Sequence, residues 1–198
     1  MRKQIAIFGG AFNPPHRGHG EVARALSRLD GIDEVWVMPS ANRWDKAMSV
    51  SGDDRLEMVR LMIEDDRAAM HKPMRAFDHE ARKQGLSSTF ETRQELEALY
   101  PDCDFHFVCG SDVIPDIASK WVRGQELFDS ARFIFIERPG SKPLSECLLP
   151  KNHLILPMAG DISLSSTMVR KIAHDGDELS KHVFPSVARF ILDKKLYR

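Results

Sequence analysis

Gly9-Gly10-Ala11-Phe12-Asn13-Pro14-Pro15-His16-Arg17-Gly18-His19 follows the apolar run Ile5-Ala6-Ile7-Phe8 and opens onto a helical pattern. A short apolar run closed by paired glycines reads as a buried parallel strand. The glycines let the backbone turn sharply and approach a ligand closely, and the two prolines stiffen the connection. Over 18–29 the apolar residues fall at Val22, Ala25, Leu26 and Leu29, which is helical spacing. His16 and His19, three apart in a first helical turn, share a face. A helix N-terminus already favours anions through its free N–H groups and partial positive charge, and imidazoles there add directional donors for phosphate oxygens. Phosphoryl and nucleotidyl transfer use such an arrangement, because their catalysis is mostly positioning and charge stabilisation. A metal half-site is the other use of paired histidines, but no Asp, Glu or Cys within the motif completes one.

Outward from this segment, strand and helix patterns alternate. Strands are expected at 35–38, 74–77, 105–109, 133–136 and 154–156. Helices are expected at 53–63, 89–99 and 125–130, and after Ser165-Ser166 and Pro185. The polar stretch 40–52 reads as a mobile loop. The pattern predicts an α/β fold: a Rossmann-like parallel sheet with helices on both faces, in a single domain over 1–198. Ligands of such sheets bind beyond the carboxyl ends of the strands, where strand order reverses.

A second segment, Leu164-Ser165-Ser166-Thr167-Met168-Val169-Arg170, sets hydroxyl residues ahead of an apolar-periodic stretch. That is an N-cap signal, and it predicts a second helix end able to bind an anion. Arg170 lies one turn in, where a permanent multi-donor cation can reach back toward a phosphate.

Composition narrows the class. The 198 residues are 42% hydrophobic with a formal charge of −1, so the basic excess of a polynucleotide-binding protein is lacking. Cys103, Cys109 and Cys147 form no CxxC pair and no disulfide framework; they read as buried structural thiols in a reducing compartment. The apolar run after Arg2-Lys3 is too short for a signal-peptide core, and no stretch could span a bilayer, which makes a cytoplasmic protein the default expectation.

The first segment resembles the GxFxPxHxGH signature of the HxGH nucleotidyltransferase superfamily, and the second its ISSTxxR element. Within that superfamily the chain looks like the nicotinate- and nicotinamide-mononucleotide adenylyltransferases. The resemblance implies transfer of AMP from ATP to a pyridine mononucleotide, with Mg²⁺ accompanying ATP. Carried over, His16, His19, Lys46 and Arg170 are the catalytic residues, the two histidines contacting ATP phosphates. The resemblance gives Gly9, Gly10, Phe12, Ser165, Ser166 and Thr167 to ATP, together with Gly110 and Asp112 of a GxD on the ribose. Arg138 of an RPG segment falls near the adenine. It gives Asn13, Ser40, Lys46, Thr89 of a SYTxDT-like stretch and Trp121 of a KW pair to the mononucleotide. The closing stretch 184–197 is implied to be packing.

Departures stand at Ala11 and Asn13, where many members have Thr and Asp, and at Asp45, where a histidine normally precedes the lysine. Another acceptor such as phosphopantetheine, use of CTP, or a non-catalytic nucleotide-binding module are the alternatives. Whether the acceptor is the acid or the amide is open, as is oligomeric state, a homo-oligomer included.

Overall fold

In a computed structural model, residues 1–41, 50–83, 85, 87–137, 143–158 and 164–198 are described. The first apolar run becomes β1 (Lys3–Gly10), and Arg17–Arg28 forms α1 behind it. The chain continues through β2 (Glu34–Pro39), α2 (Gly52–Asp65), β3 (Met74–Ala76), α3 (Thr89–Leu99) and β4 (Cys103–Gly110). It closes with α4 (Ile114–Lys120), α5 (Gly124–Ser130), β5 (Arg132–Ile136), β6 (Asn152–Leu156), α6 (Ser166–Asp175) and α7 (Pro185–Asp193). Every expected strand and helix forms. The helix α4 carries no sequence expectation: it is short, and Pro115 in its first turn reads as a breaker, although the missing N–H costs nothing there.

The strands lie in the order β3-β2-β1-β4-β5-β6 and all pairs are parallel. Order reverses between β1 and β4, so a crevice opens beyond their carboxyl ends. Side-chain alternation divides the core between the two faces of the sheet. Ala6, Phe8, Val35, Val37, Ile134 and Ile136 pack on α1, α2, α6 and α7 through Leu26, Val59, Val169 and Val187. Ile5, Ile7, Trp36, Phe107, Phe133 and Phe135 pack on α3, α4 and α5 through Leu96, Ile117 and Leu127. Helices therefore cover both faces, and every strand points its carboxyl end to the same edge. Among the described residues no helix is long and apolar enough to cross a membrane.

Candidate functional site

The site is built on the turn that leaves β1. Phe12 takes a left-handed φ of 45°, and the Asn13–Pro14 peptide bond is cis. Phe12 is 1% exposed, with its ring edge-on to Phe8 at 5.3 Å and tilted against His19 at 4.9 Å between centroids. His16 is the N-cap residue of α1, and His19 sits in the first turn with its ring centroid 3.8 Å from that of His16. The Nδ1 atom of His19 accepts the backbone N–H of His16 at 3.1 Å. With Nδ1 used as an acceptor, the neutral imidazole must carry its proton on Nε2, the tautomer suited to donate to an anion.

The second helix end arrives at this same turn. Ser165 caps α6 by accepting the N–H of Met168. The Oγ of Ser166 donates to the carbonyl of Pro14 at 2.9 Å. The Nη1 of Arg170 donates to the carbonyl of Asn13 at 2.9 Å, while its Nη2 meets Thr167 Oγ1 at 3.0 Å. Two N-termini far apart in sequence thus meet across one loop, and their partial positive charges add.

A cleft of about 780 Å³ opens over this junction, the size of an ordinary small-molecule site. Gly9, Gly10, Asn13 and Ser40 line it from the ends of β1 and β2; Thr89 and Trp121 line it from the opposite side; Ser166, Thr167 and Arg170 close it from α6. His16, His19 and Phe12 lie in the turn beside the cleft, outside its lining, and Ser165 is set back at the cap. Gly110 and the exposed Asp112 stand just past β4, also outside the lining. Lys46 and Arg138, with Asp45, lie outside the described residues.

Three residues take positions to which the sequence reading gave no part in the site. Arg55 of α2 is fully buried, with Nη1 donating to Ala11 O and Nη2 to Ser40 O, both at 2.8 Å. It ties the turn after β1 to the segment after β2, and burial lowers its pKa from the ordinary guanidinium value. A sequence signal existed: Arg55, Val59 and Met62 fall at i, i+4 and i+7, so a cation sits on the apolar face of its helix. Tyr197 belongs to the stretch expected to supply packing alone, yet its hydroxyl donates to Asn13 Oδ1 at 2.7 Å. Glu80, also in the cleft wall, accepts Thr92 Oγ1 at 2.5 Å, and Thr92 Oγ1 meets Ser87 Oγ at 3.0 Å. Nothing in the sequence pattern marks Glu80.

Cys103, Cys109 and Cys147 are not joined in disulfides and are half-buried, less covered than expected. Burial pushes the Cys109 thiol in the cleft wall up to about 12, so it is no nucleophile at neutral pH. Among the described residues no three His, Cys, Asp or Glu side chains come together to hold a metal ion.

Residues 7–172 match the family described as cytidylyltransferase-like. A protein of Oceanobacillus iheyensis named "Probable nicotinate-nucleotide adenylyltransferase" is 32% identical, over 98% of this chain and 97% of its own. The structure of Plasmodium falciparum nicotinic acid mononucleotide adenylyltransferase complexed with NaAD superposes with a TM-score of 0.86 at 27% identity, covering 98% of this chain and 97% of that one. The same enzyme complexed with APC gives 0.81 at 28% identity, with the same coverage.

Proposed function

Since the chain belongs to the cytidylyltransferase-like family, in the branch of the nicotinate-nucleotide adenylyltransferases, we propose that it transfers AMP from ATP to nicotinate mononucleotide, with one domain over 1–198 carrying the whole activity. The observation that carries this reading is the meeting of the two helix ends: Ser166 and Arg170 of α6 bond to the carbonyls of Pro14 and Asn13, in the turn that leads to His16 and His19. Such a junction concentrates N–H donors and positive charge on one locus, as a triphosphate requires.

In the proposed reaction a phosphate oxygen of the mononucleotide attacks the α-phosphorus of ATP in line. A new P–O bond forms, the α–β bridging P–O bond breaks, and pyrophosphate leaves with the electron pair. No side chain need act as nucleophile. The chain's own part is to bind, align and neutralise. His16 and His19 offer imidazole donors to phosphate oxygens, and Arg170 with the Ser165–Thr167 cap offsets charge on the departing pyrophosphate. Lys46 is proposed as a further cation on the same phosphates, and Arg138 as an adenine-side contact. Gly110 and Asp112 are assigned to the ribose of ATP, and Trp121, Ser40 and Thr89 to the mononucleotide. Mg²⁺ carried on the substrate phosphates would screen their charge with few protein ligands, which fits a site whose described residues gather no cluster of His, Cys, Asp or Glu.

The test is pyrophosphate release from Mg-ATP with nicotinate mononucleotide and nicotinamide mononucleotide side by side. The expected result is release with the acid form, in excess over the amide. Binding of ATP with no pyrophosphate from either acceptor would overturn the proposal.

A further inference from the structure

Asn13 lies under the cleft at 7% exposure, and both its oxygens are already engaged by protein donors. Its backbone carbonyl accepts from Arg170, and its side-chain Oδ1 accepts from the Tyr197 hydroxyl at 2.7 Å. A side-chain amide has one accepting end and one donating end. With Oδ1 turned to Tyr197, Nδ2 and its two hydrogens are turned away from it, and no described residue accepts a hydrogen bond from that nitrogen. Asn13 belongs to the cleft lining, and the donating end of its amide is the one that Tyr197 does not hold.

The direction of this amide is set by Tyr197. A phenol can donate or accept, so the hydroxyl alone would leave the amide free to flip. Its surroundings bias that choice. The hydroxyl donates to Asn13 Oδ1, and the guanidinium groups of Arg170 and Arg55 favour negative charge on its oxygen while Asp54 opposes it. Burial raises the phenol's pKa, so the hydroxyl keeps its proton, and its donor, throughout the neutral range. The last turn of the chain is shaped to bring the ring there: Lys195 and Tyr197 take left-handed φ values of 54° and 67°, and Leu196 N–H bonds to Ile191 O at 3.0 Å.

We propose that Tyr197 is a positioning residue for the transfer reaction, holding the Asn13 amide with its N–H₂ toward the cleft so that position 13 donates a hydrogen bond to a phosphate oxygen of the bound substrates. A carboxylate at the same position could only accept. The asparagine therefore adds a donor to the turn that also carries the His19 imidazole. This proposal rests on the transfer reading above.

The experiment is a double-mutant cycle of Tyr197→Phe, Asn13→Ala and the pair, read as kcat/KM for pyrophosphate release, with the melting temperature of each variant alongside. Tyr197→Phe should keep the wild-type melting temperature closely and lower kcat/KM about five- to tenfold, the effect of one lost hydrogen bond. Asn13→Ala should lower it at least as far, and the pair no further than Asn13→Ala alone, since Tyr197 acts only through Asn13. A Tyr197→Phe loss that persists undiminished beside Asn13→Ala, or the absence of any loss, overturns the proposal. Asn13→Ser, too short to meet the hydroxyl, gives the same comparison if the alanine variant does not fold. Wild-type turnover is measured first. If it is absent the transfer reading fails, and the same cycle, read in the dissociation constants of Mg-ATP and nicotinate mononucleotide, decides the Tyr197–Asn13 coupling by itself.

Discussion

At the scale of single residues, the site uses hydrogen bonds to fix which end of a side chain faces the ligand. The clearest instance is His19, whose Nδ1 is spent on the backbone N–H of His16, leaving the ring proton on Nε2. Packing against Phe12 and the tilted ring of His16 holds the ring in that pose before any substrate arrives. Preorganisation of this kind matters because a donor already aimed at developing charge needs no reorganisation during the reaction. Removing one such donor typically costs about 2.7–4 kcal/mol of barrier. His19→Ala is therefore expected to lower kcat for pyrophosphate release a hundredfold or more. Circular dichroism and the melting temperature should stay near wild type, because a half-buried ring at a helix start carries little of the core. Near-normal turnover in that variant would remove His19 from the chemistry. Arg55 illustrates the opposite use of charge. Its buried guanidinium donates to two backbone carbonyls, one from each loop, so its contribution is to loop placement.

At the scale of elements, α2 is the member that braces the cleft from the side, and it does so through a contact only glycine permits. A Cβ built on Gly52 would stand 1.7 Å from Ala81 O and 2.7 Å from Ala81 C, both backbone atoms that cannot swing aside. The close approach brings the start of α2 against the segment that carries Glu80, a wall of the cleft. The same helix turn carries Arg55, which holds the loops after β1 and β2. Gly52→Ala must push these parts from one another. The expected cost is about 1–3 kcal/mol of stability, the usual range for forced overpacking, seen as a lower midpoint in urea. Because Glu80, Thr92 and Ser87 move with that wall, KM for the mononucleotide should rise more than KM for ATP. An unchanged urea midpoint would show that the contact is relieved without strain. The Gly52 half of this brace was not legible in the sequence. Gly52 sits in a polar stretch that reads as loop, and its need for glycine comes from a neighbour some thirty residues away. By contrast, the strand–turn–helix around His16 and His19 and the cap at Ser165 were legible in full, because their signals are local: glycine and proline for the turn, hydroxyls for the cap, apolar spacing for the helices behind them. The joining of those two local signals into one site follows from sheet order, which the alternation of elements implied without fixing any contact. Tyr197 lay beyond reach for the same reason as Gly52: its partner, Asn13, is distant in sequence, and a terminal tyrosine carries no pattern.

At the scale of the whole molecule, one contribution to acid stability comes from a strand residue outside the cleft lining. His106 lies in β4 at 8% exposure, with Nε2 hydrogen-bonded to Gln4 Oε1 at 2.8 Å. Burial first, and then the nearby Arg132 charge, hold its pKa down from 6.5 to about 4. In the unfolded chain the imidazole is free to protonate near its ordinary value, so between pH 6.5 and about 4 the unfolded state binds the extra proton. Stability is thus complete above pH 6.5 and is lost progressively as pH falls toward 4. The loss should be on the order of 2 kcal/mol once solvent screening is allowed for. The paired carboxylates act in a separate window. Lys194 and Ser51 hold Asp54 below its ordinary 3.8, and Lys83 and His79 hold Glu95 below its ordinary 4.5, so both contribute their losses at still lower pH. Urea midpoints measured at pH 7, 6 and 5 should fall stepwise for the wild type. His106→Gln keeps a side-chain amide for Gln4 but has no proton to gain, and its midpoints over the same interval should stay nearly level. Turnover at pH 7 should be unchanged in that variant, because β4 presents its carboxyl end, and not His106, to the crevice. A wild-type slope that survives His106→Gln would assign the acid sensitivity to another group.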